Sequence, residues 1–294
     1  MKMITWTYLI ELGKKRPSNI FGRGLVSIND EVYEFQTAKI CEAEEWNTHI
    51  RETVNYLKEN SNTIAKPIPI MPNRITFEDV KYAFKDITTV PLGISKQELK
   101  VTTYNFTKNF INIITSKNID SAVQFTMHII EELKQIEDMN VKILDGERVI
   151  RVKKGDLKQD YEEFTKELEE NKDENTICII IGIDKFINDL DRAETELFEM
   201  LSKAENLEKY HFIIVDTSSK LKNHEYDEWY KAYVSGEDGI WIGNGVDDQY
   251  LIRAATTGRN IINNCGPSFG YVINQSEVTM IKLLGIKEEG DENE

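Results

Sequence analysis

A run of apolar residues at positions 176–183 does most to limit the folds that are open to this chain. A strand that is covered on both faces reads as such a run, and strands of this kind belong to parallel sheets with helices on both sides. Short apolar runs at 110–115, 212–215 and 239–243 alternate with segments whose apolar residues recur at helical spacing. This alternation predicts βαβ units, and therefore an α/β fold with a mostly parallel sheet.

Two of the predicted helices have recognisable starts. Asp120 or Ser121 can cap a helix with apolar residues on two faces, so we expect this helix to be well buried. Asp156 can cap a second helix, along which apolar residues follow at intervals of three or four. The residues that carry the two patterns are Val123, Phe125, Met127, Ile129, Ile130, Leu133, Ile136, Leu157, Tyr161, Phe164 and Leu168.

Two hairpins flank the alternating pattern. β-Branched and aromatic residues at 24–28 and 32–36 surround a polar two-residue turn and predict the first hairpin. Residues 270–273 and 278–284 predict a closing hairpin, which we expect to add antiparallel strands at one edge of the sheet. An amphipathic helix follows the first hairpin, and a proline-rich stretch at 61–72 predicts a linker into the alternating region.

The two hairpins share a sequence pattern at a constant spacing of 246 residues, from position 24 to 270 and from 32 to 278. Gly24, Val26, Glu31 and Val32 match Gly270, Val272, Glu277 and Val278, while Phe35 corresponds to Ile281. Chance similarity between two hairpins is one explanation. The other is a period that spans a whole domain, in which case the residues before the linker are the trailing end of a preceding copy.

The net charge of −15 on 294 residues argues against sequence-independent binding to nucleic acid, which needs a row of lysine and arginine side chains. Basic residues cluster only at 14–16 and 151–154, and we interpret both clusters as solvated surface. Because the three cysteines are far apart and the four histidines show no metal-ligand spacing, we expect neither a disulfide framework nor a metal site. Cys178 lies in an apolar run and is expected to be buried.

The chain lacks a sequence window with the roughly 18 consecutive apolar residues of a membrane span, and its start does not read as a signal peptide. We therefore expect a cytosolic chain, or the soluble part of a larger membrane protein. Residues 287–294 are acidic and poor in apolar side chains, which predicts a disordered tail.

Several segments resemble an ATPase domain of the FtsK/SpoIIIE family. Residues 22–38 are similar to the closing hairpin of such a domain, and more narrowly to the junction between the last two ATPase domains of the EssC family, the type VII secretion ATPases of Firmicutes. Residues 90–94, 212–216, 239–245 and the segment from Gly270 onward resemble the C-terminal domain of that family. The resemblance implies a RecA-like P-loop fold of three layers, with a mostly parallel sheet and a C-terminal antiparallel hairpin.

The same resemblance implies how the chain is divided and where it acts. Residues 1–66 would be the trailing hairpin and helix of a preceding ATPase domain plus a linker, and residues 67–286 a degenerate RecA-like ATPase domain. A parent protein with membrane spans would hold this domain at the cytoplasmic face of the membrane. The implied partners are secreted substrates or effectors of the WXG100 type and neighbouring ATPase domains, with no nucleic acid and no membrane contact except through the parent.

The phosphate-binding loop of such a domain should lie between the first parallel strand and the helix after Asp120. In P-loop ATPases the motif G-x-x-x-x-G-K-[ST] surrounds the phosphates with backbone N–H groups, a lysine and a hydroxyl that holds Mg²⁺. Residues 115–122 contain no glycine, and Asp120 and Ser121 fall near the positions of the second glycine and the lysine. Ser116, Lys117, Asp120 and Ser121 would line a degenerate pocket, in which the carboxylate repels phosphate and Lys117 is a solvated loop residue.

The acidic motif is altered as well. Asp184 follows the apolar strand and would stand where a Mg²⁺-linked carboxylate belongs, but Lys185 follows it in place of an acidic base. A structural carboxylate that pairs with Lys185, or caps the next helix, is the alternative. The two altered motifs predict a domain without ATP hydrolysis, catalytic residues, metal or cofactor, and bound ATP with Mg²⁺ is the alternative.

Two functions of different classes follow. The first is a non-catalytic domain for substrate recognition and regulation of export, in which Trp229, Tyr230 and Trp241 are candidates for a partner surface and core packing is the alternative. The second is an active ATPase or DNA translocase of the FtsK/SpoIIIE type. In a weaker form of the second, Arg253 or Arg259 would reach ATP held by a neighbouring domain, unless both arginines are structural.

Overall fold

The computed structural model describes residues 18–20, 22–28, 31–38, 42–60, 70–137, 139–150, 156–170, 175–189, 193–205, 209–255 and 265–286. The chain divides into two compact units, Met1–Ile68 and Pro69–Glu294. The basic clusters, Cys41, Arg259, the acidic tail and most of the proline-rich stretch lie outside the described residues.

The first unit contains the predicted hairpin and the amphipathic helix. Strands β1 (Arg23–Ile28) and β2 (Glu31–Gln36) pair antiparallel across a two-residue turn. A short 3-10 turn, Ala43–Glu45, leads into helix α1 (Trp46–Asn60), of which no residue is buried. The exposed apolar stripe of α1 consists of Trp46, Ile50, Val54 and Leu57.

A nine-stranded sheet forms the centre of the second unit. Its strands are β3 (Val90–Ser95), β4 (Val101–Tyr104), β5 (Ile111–Ser116), β6 (Met139–Asp145), β7 (Asn175–Ile181), β8 (Tyr210–Thr217), β9 (Gly239–Ile242), β10 (Phe269–Asn274) and β11 (Glu277–Leu283). Their spatial order is β4-β3-β11-β10-β9-β5-β8-β7-β6. The five strands from β9 to β6 run parallel. When these five are numbered by their order in the chain, they lie across the sheet in the order 5-1-4-3-2. The remaining pairs are antiparallel.

Helices cover both faces of this sheet and complete three layers. They are α2 (Phe77–Val80), α3 (Ile119–Leu133), α4 (Leu157–Glu170), α5 (Ile183–Asp189), α6 (Ala193–Glu205), α7 (Ser218–Asn223) and α8 (Glu228–Tyr233). Helix α3 packs into one apolar core, and α4 to α8 pack into a second core on the opposite face. The predicted three-layer α/β fold is confirmed.

The continuous apolar runs follow from this double coverage. In β8, Phe212 and Ile214 point into the core beneath α4 to α8, whereas Ile213 and Val215 point into the core beneath α3. Both faces of the strand therefore need apolar side chains, and the alternation that marks a half-exposed strand disappears. The predicted burial of Cys178, in the neighbouring strand β7, is confirmed, and burial raises the pKa of its thiol.

Two expectations about this unit are wrong. The closing hairpin, β10–β11, does not lie at an edge, because β3 and β4 pair beyond it and make β4 the edge strand. Asp120 and Ser121 do not cap α3. The cap is Asn118, whose side-chain oxygen accepts a hydrogen bond from the Asp120 backbone N–H at 3.0 Å.

Candidate functional site

The crevice where a ligand is expected lies at the carboxyl ends of β5 and β8. Helix α3 leaves β5 toward one face of the sheet, whereas α7 leaves β8 toward the other face. In open α/β sheets such a change of direction separates neighbouring loops and creates the binding crevice. The two strand ends are joined here by the Thr115 hydroxyl, which donates a hydrogen bond to the Asp216 carbonyl at 2.8 Å.

The turn from β5 into α3 contains only Lys117 and Asn118. The Ser116 hydroxyl is buried and donates back to the Asn118 carbonyl, so it is turned into the loop rather than toward a ligand. The backbone N–H of Asp120 already donates a hydrogen bond to the Asn118 side chain, and the exposed Asp120 carboxylate lies in the first turn of α3. A carboxylate satisfies the positive end of the helix dipole and repels a second anion.

Lys117 lies across the same crevice and is paired with another loop. Its ammonium group is 3.2 Å from the Asp248 carboxylate, and both side chains are largely exposed. The lysine stem passes so close to Gly245 that any Cβ at that position would overlap it. Gly245 also has a φ of +92°, so the close approach depends on glycine. In this structure the Lys117 ammonium is therefore directed toward the loop of Gly245 and Asp248.

A network of ion pairs joins residues at or after the carboxyl ends of β6, β7 and β8. The Glu147 carboxylate is 2.6 Å from the Lys185 ammonium and 3.0 Å from the Lys220 ammonium. Lys220 also lies 3.6 Å from Asp216, whose side chain is fully buried. Burial opposes the ionisation of Glu147, but the hydrogen bonds from the two lysines outweigh it and hold the pKa of Glu147 below its ordinary value. Each lysine thus already has a carboxylate partner.

Asp216, which the sequence analysis did not select, is the centre of this network. Its carboxylate accepts hydrogen bonds from the backbone N–H groups of Thr217 at 2.8 Å and of Asp184 at 3.3 Å. Burial raises the pKa of Asp216, and the Thr217 bond and Lys220 offset only part of that rise. The sequence signal that could have found it is the same as for Asp184, because each residue follows a run of buried apolar residues.

Asp184 is held by neighbours within the protein. Its two carboxylate oxygens contact Nε2 of His224 at 3.2 Å and the side-chain amide of Asn188 at 3.0 Å. The other ring nitrogen of His224 lies 2.7 Å from Asp227, which also accepts a hydrogen bond from the Trp229 indole at 3.3 Å. Asp184 is therefore a structural carboxylate in this structure, as the alternative prediction proposed. Its partners, however, are His224 and Asn188 and not Lys185.

The three aromatic candidates for a partner surface lie in the core. Trp229 and Trp241 are fully buried and Tyr230 is 8% exposed. The three side chains pack into the core between the sheet and helices α4 to α8. A partner cannot contact a side chain that the core encloses, so the proposed surface is wrong and the core alternative holds. Arg253 is exposed and lies 3.5 Å from Glu237, before β9 and away from the crevice.

The described ranges contain neither a group of three or more His, Cys, Asp or Glu side chains arranged to hold a metal ion nor a helix long and apolar enough to cross a membrane. Within those ranges the predicted pocket residues Ser116, Lys117, Asp120 and Ser121 lie at one turn. Asp216 is hydrogen-bonded both to Thr115, just before this turn, and to the Asp184 backbone, which places Asp184 near the turn. The arrangement is rich in charge but satisfied internally.

The layers, the strand order and the position of the crevice define a RecA-like three-layer α/β fold. Among solved structures, the cytoplasmic domain of EssC is similar over 96% of this chain and 62% of its own, with a TM-score of 0.55 and 15% identity. EssC (ATPases 2 and 3) from Geobacillus thermodenitrificans matches 90% of this chain and 55% of its own, with a TM-score of 0.60 and 15% identity.

A third similar structure is Thermomonospora curvata EccC (ATPases 2 and 3) in complex with a signal sequence peptide, with a TM-score of 0.56 and 16% identity. It covers 92% of this chain and 54% of its own, so the chain spans roughly half to two thirds of the length of these relatives. No protein-family model and no curated protein matches the sequence. The predicted likeness to type VII secretion ATPase domains is confirmed at the level of the fold.

Replacing Lys220 with alanine is expected to lower the free energy of unfolding by about 1–2 kcal/mol, because it leaves the buried Asp216 carboxylate without its counter-charge. The loss should grow as the pH rises through the raised pKa of Asp216, because only the ionised carboxylate needs the counter-charge of Lys220. Urea unfolding at several pH values measures both effects. Lys222→Ala, on the same helix but exposed, is the matched control, and equal losses in the two variants would contradict the prediction.

Proposed function

We propose that this chain is a non-hydrolysing RecA-like domain of a type VII secretion ATPase, which recognises export substrates and regulates export. The observation that supports the absence of turnover is the two-residue turn between β5 and α3. A phosphate-binding loop needs several residues with free backbone N–H groups, and glycines that let the phosphates approach them. Lys117 and Asn118 are too few to surround a phosphate chain.

The charges around the turn support the same proposal. Lys117, Lys185 and Lys220 follow the carboxyl ends of β5, β7 and β8, and each is paired with a carboxylate of this chain. Binding of ATP would have to break these pairs and leave Glu147 and Asp216 unpartnered in a partly dry site, which is costly. The network therefore favours the empty form of the crevice.

The partners in this proposal are secreted substrates or effectors of the WXG100 type, bound through a signal sequence, and neighbouring ATPase domains of the same protein. The support is the similarity to the EccC structure that contains a signal sequence peptide, together with the fold. The proposed location is the cytoplasmic face of the membrane, reached through a parent protein. Nucleic acid is not a proposed partner, because the net charge is −15.

The proposed division of the chain has three parts. Residues 1–66 are the trailing hairpin and helix of a preceding ATPase domain with a linker, residues 67–286 are the degenerate domain, and residues 287–294 are an acidic tail. The support is the spacing of 246 residues between two hairpins of the same pattern.

Titration with Mg-ATP in a calorimeter tests the nucleotide part of the proposal. We expect no saturable heat up to about 1 mM nucleotide, which corresponds to less than roughly 4 kcal/mol of binding free energy. Asp248→Ala, which frees Lys117, is the matched variant and should remain silent, because the turn is still too short. A micromolar dissociation constant with measurable phosphate release would contradict this proposal and favour an active ATPase.

Fluorescence anisotropy with a labelled WXG100 signal sequence peptide tests the substrate part. We expect saturable binding that neither Mg-ATP nor the Lys117→Ala substitution changes, because the proposed recognition of the peptide does not depend on a nucleotide in the crevice. A peptide of the same composition in scrambled order is the control. Equal affinity for both peptides, or no binding to either, would contradict substrate recognition while leaving the nucleotide result intact.

A further inference from the structure

The hairpin β1–β2 matches the closing hairpin β10–β11 pair for pair. Gly24 lies opposite Phe35, as Gly270 lies opposite Ile281, and all six residue pairs correspond at the spacing of 246. The register of a strand pair is a strict property, because a slip of one residue turns every side chain to the other face of the sheet. The agreement therefore extends from sequence pattern to backbone pairing.

Both outer edges of the closing hairpin are occupied in the sheet. The Phe269 carbonyl accepts a hydrogen bond at 2.9 Å from the residue after β9, and the Met280 carbonyl accepts one at 2.9 Å from the residue after β3. The corresponding carbonyls of the first hairpin belong to Arg23 and Glu34. In the described part of the chain β1 and β2 form a sheet of two strands, so neither of their outer edges has a neighbouring strand there.

Matching side chains are buried in the closing hairpin and exposed in the first hairpin. Val272 and Ile281 are buried in the core beneath α3. Their counterparts in the first hairpin, Val26 and Phe35, are 38% and 44% exposed. A lone two-stranded hairpin is marginally stable in water, and three or more strands or a covering helix are needed to stabilise it. The first hairpin thus carries core residues and open edges of the kind that the closing hairpin buries.

We propose that β1–β2 completes the sheet of a second domain with this fold. In the register of β10–β11, β1 pairs antiparallel with the last parallel strand of that domain, and β2 pairs with its first antiparallel strand. The corresponding place in this chain's own nine-stranded sheet is already filled by β10–β11. This inference rests on the proposed preceding ATPase domain, and adds which strands meet and which backbone groups pair.

Gly24 occupies the position in the first hairpin that Gly270 occupies in the closing hairpin. At the matching position, Gly270, a Cβ would come within 2.7 Å of the Trp241 carbonyl oxygen of β9. Glycine there lets the parallel strand approach the hairpin closely. At position 24 a Cβ would meet the Phe35 ring of the same hairpin at 2.6 Å, so this glycine is already required within the hairpin.

Amide hydrogen exchange resolved to single residues tests the proposal. In this hairpin the backbone groups of residues 25 and 27 and of residues 32 and 34 point outward, because inward and outward groups alternate along an antiparallel pair. We expect these amides to exchange freely in the isolated 294-residue chain. In the intact protein purified from its own cells, we expect protection of about 100-fold or more, equal to that of the inward amides.

A substitution in β1 distinguishes hydrogen bonding to a neighbouring strand from covering of the hairpin without such bonds. Leu25→Pro removes one outward N–H and no inward one, so it should reduce protection of the outward amides about tenfold in the intact protein. Leu25→Val keeps the N–H and should leave protection unchanged. Unprotected outward amides in the intact protein, or protection that Leu25→Pro does not alter, would overturn the inference. The nucleotide and peptide measurements do not involve β1, so they fail or succeed independently.

Discussion

Replacing Trp241 with alanine is expected to lower the free energy of unfolding by about 3–5 kcal/mol. The side chain is fully buried, stands opposite Tyr271 in the neighbouring strand and donates its indole N–H to the Asn244 carbonyl at 3.1 Å. Truncation removes a large apolar surface and leaves a cavity that a rigid sheet cannot close. Urea unfolding followed by circular dichroism measures the change as a shift of the midpoint at constant slope.

Two control variants separate packing from other effects of the Trp241 substitution. Trp241→Phe keeps most of the apolar volume and should cost about 1–2 kcal/mol, in part for the lost hydrogen bond. Tyr250→Ala, at a side chain that is 87% exposed, should change stability by about 0.5 kcal/mol or less. If Trp241→Ala weakened peptide binding while leaving the unfolding midpoint unchanged, Trp241 would belong to a partner surface and its placement in the core would be wrong.

Replacing Glu132 with methionine is expected to raise the free energy of unfolding by about 2–4 kcal/mol at pH 8. Glu132 is 2% exposed on α3, and neither carboxylate oxygen has a hydrogen-bond partner among the residues that the structure describes. Burial, with a smaller contribution from the charge of Glu131, raises the pKa of Glu132 to about 9. The side chain is therefore protonated at neutral pH in the folded protein and ionised in the unfolded one.

The dependence on pH gives this prediction its clearest signature. Below about pH 4.5 Glu132 is protonated in both states, and above about pH 9 it is ionised in both. Between these values the unfolded chain loses the proton first, so stability falls as the pH rises, by at most about 1.4 kcal/mol per pH unit. Unfolding free energies from pH 4 to pH 9 should show a shallower decline for Glu132→Met than for the native chain.

Glu132→Gln and Glu131→Met complete the set. Glutamine cannot ionise, so it should flatten the pH dependence as methionine does, but with a smaller gain because its buried amide also lacks a partner. Glu131 has an exposed side chain, and its replacement should have little effect on either quantity. A parallel pH dependence in the native chain and Glu132→Met would show that Glu132 finds a polar partner in solution.

Local patterns predicted the elements whose partners are close in sequence. The closing hairpin could be read from residues 270–284 because its two strands and its turn are adjacent, and the buried strand β7 because both of its faces are apolar. The place of that hairpin in the sheet could not be read, since it depends on pairing between β11 and β3, which are far apart in the chain. The half-polar residues of β4 gave no sign that this strand forms the edge.

The site was predicted in part for the same reason. The missing glycines between β5 and α3 are visible in the sequence, but the shortness of the turn is not, because Asn118 caps the helix two or three residues earlier than expected. Glu147, Lys185, Asp216 and Lys220 come from separate segments, and only the folded sheet brings their charges together. The tryptophans have the same spacing whether they face a partner or the core, so only the fold could assign them.

The place of β10–β11 in the sheet has a consequence for how the protein is made. On a ribosome, β3, β4 and all five parallel strands emerge before residues 269–283, which alone connect the two halves of the sheet. Until then β3 and β9 each present an open edge to other nascent chains, a state that invites misassembly. We therefore expect the second unit to acquire its native form only after its translation is nearly complete, and to engage chaperones until that moment.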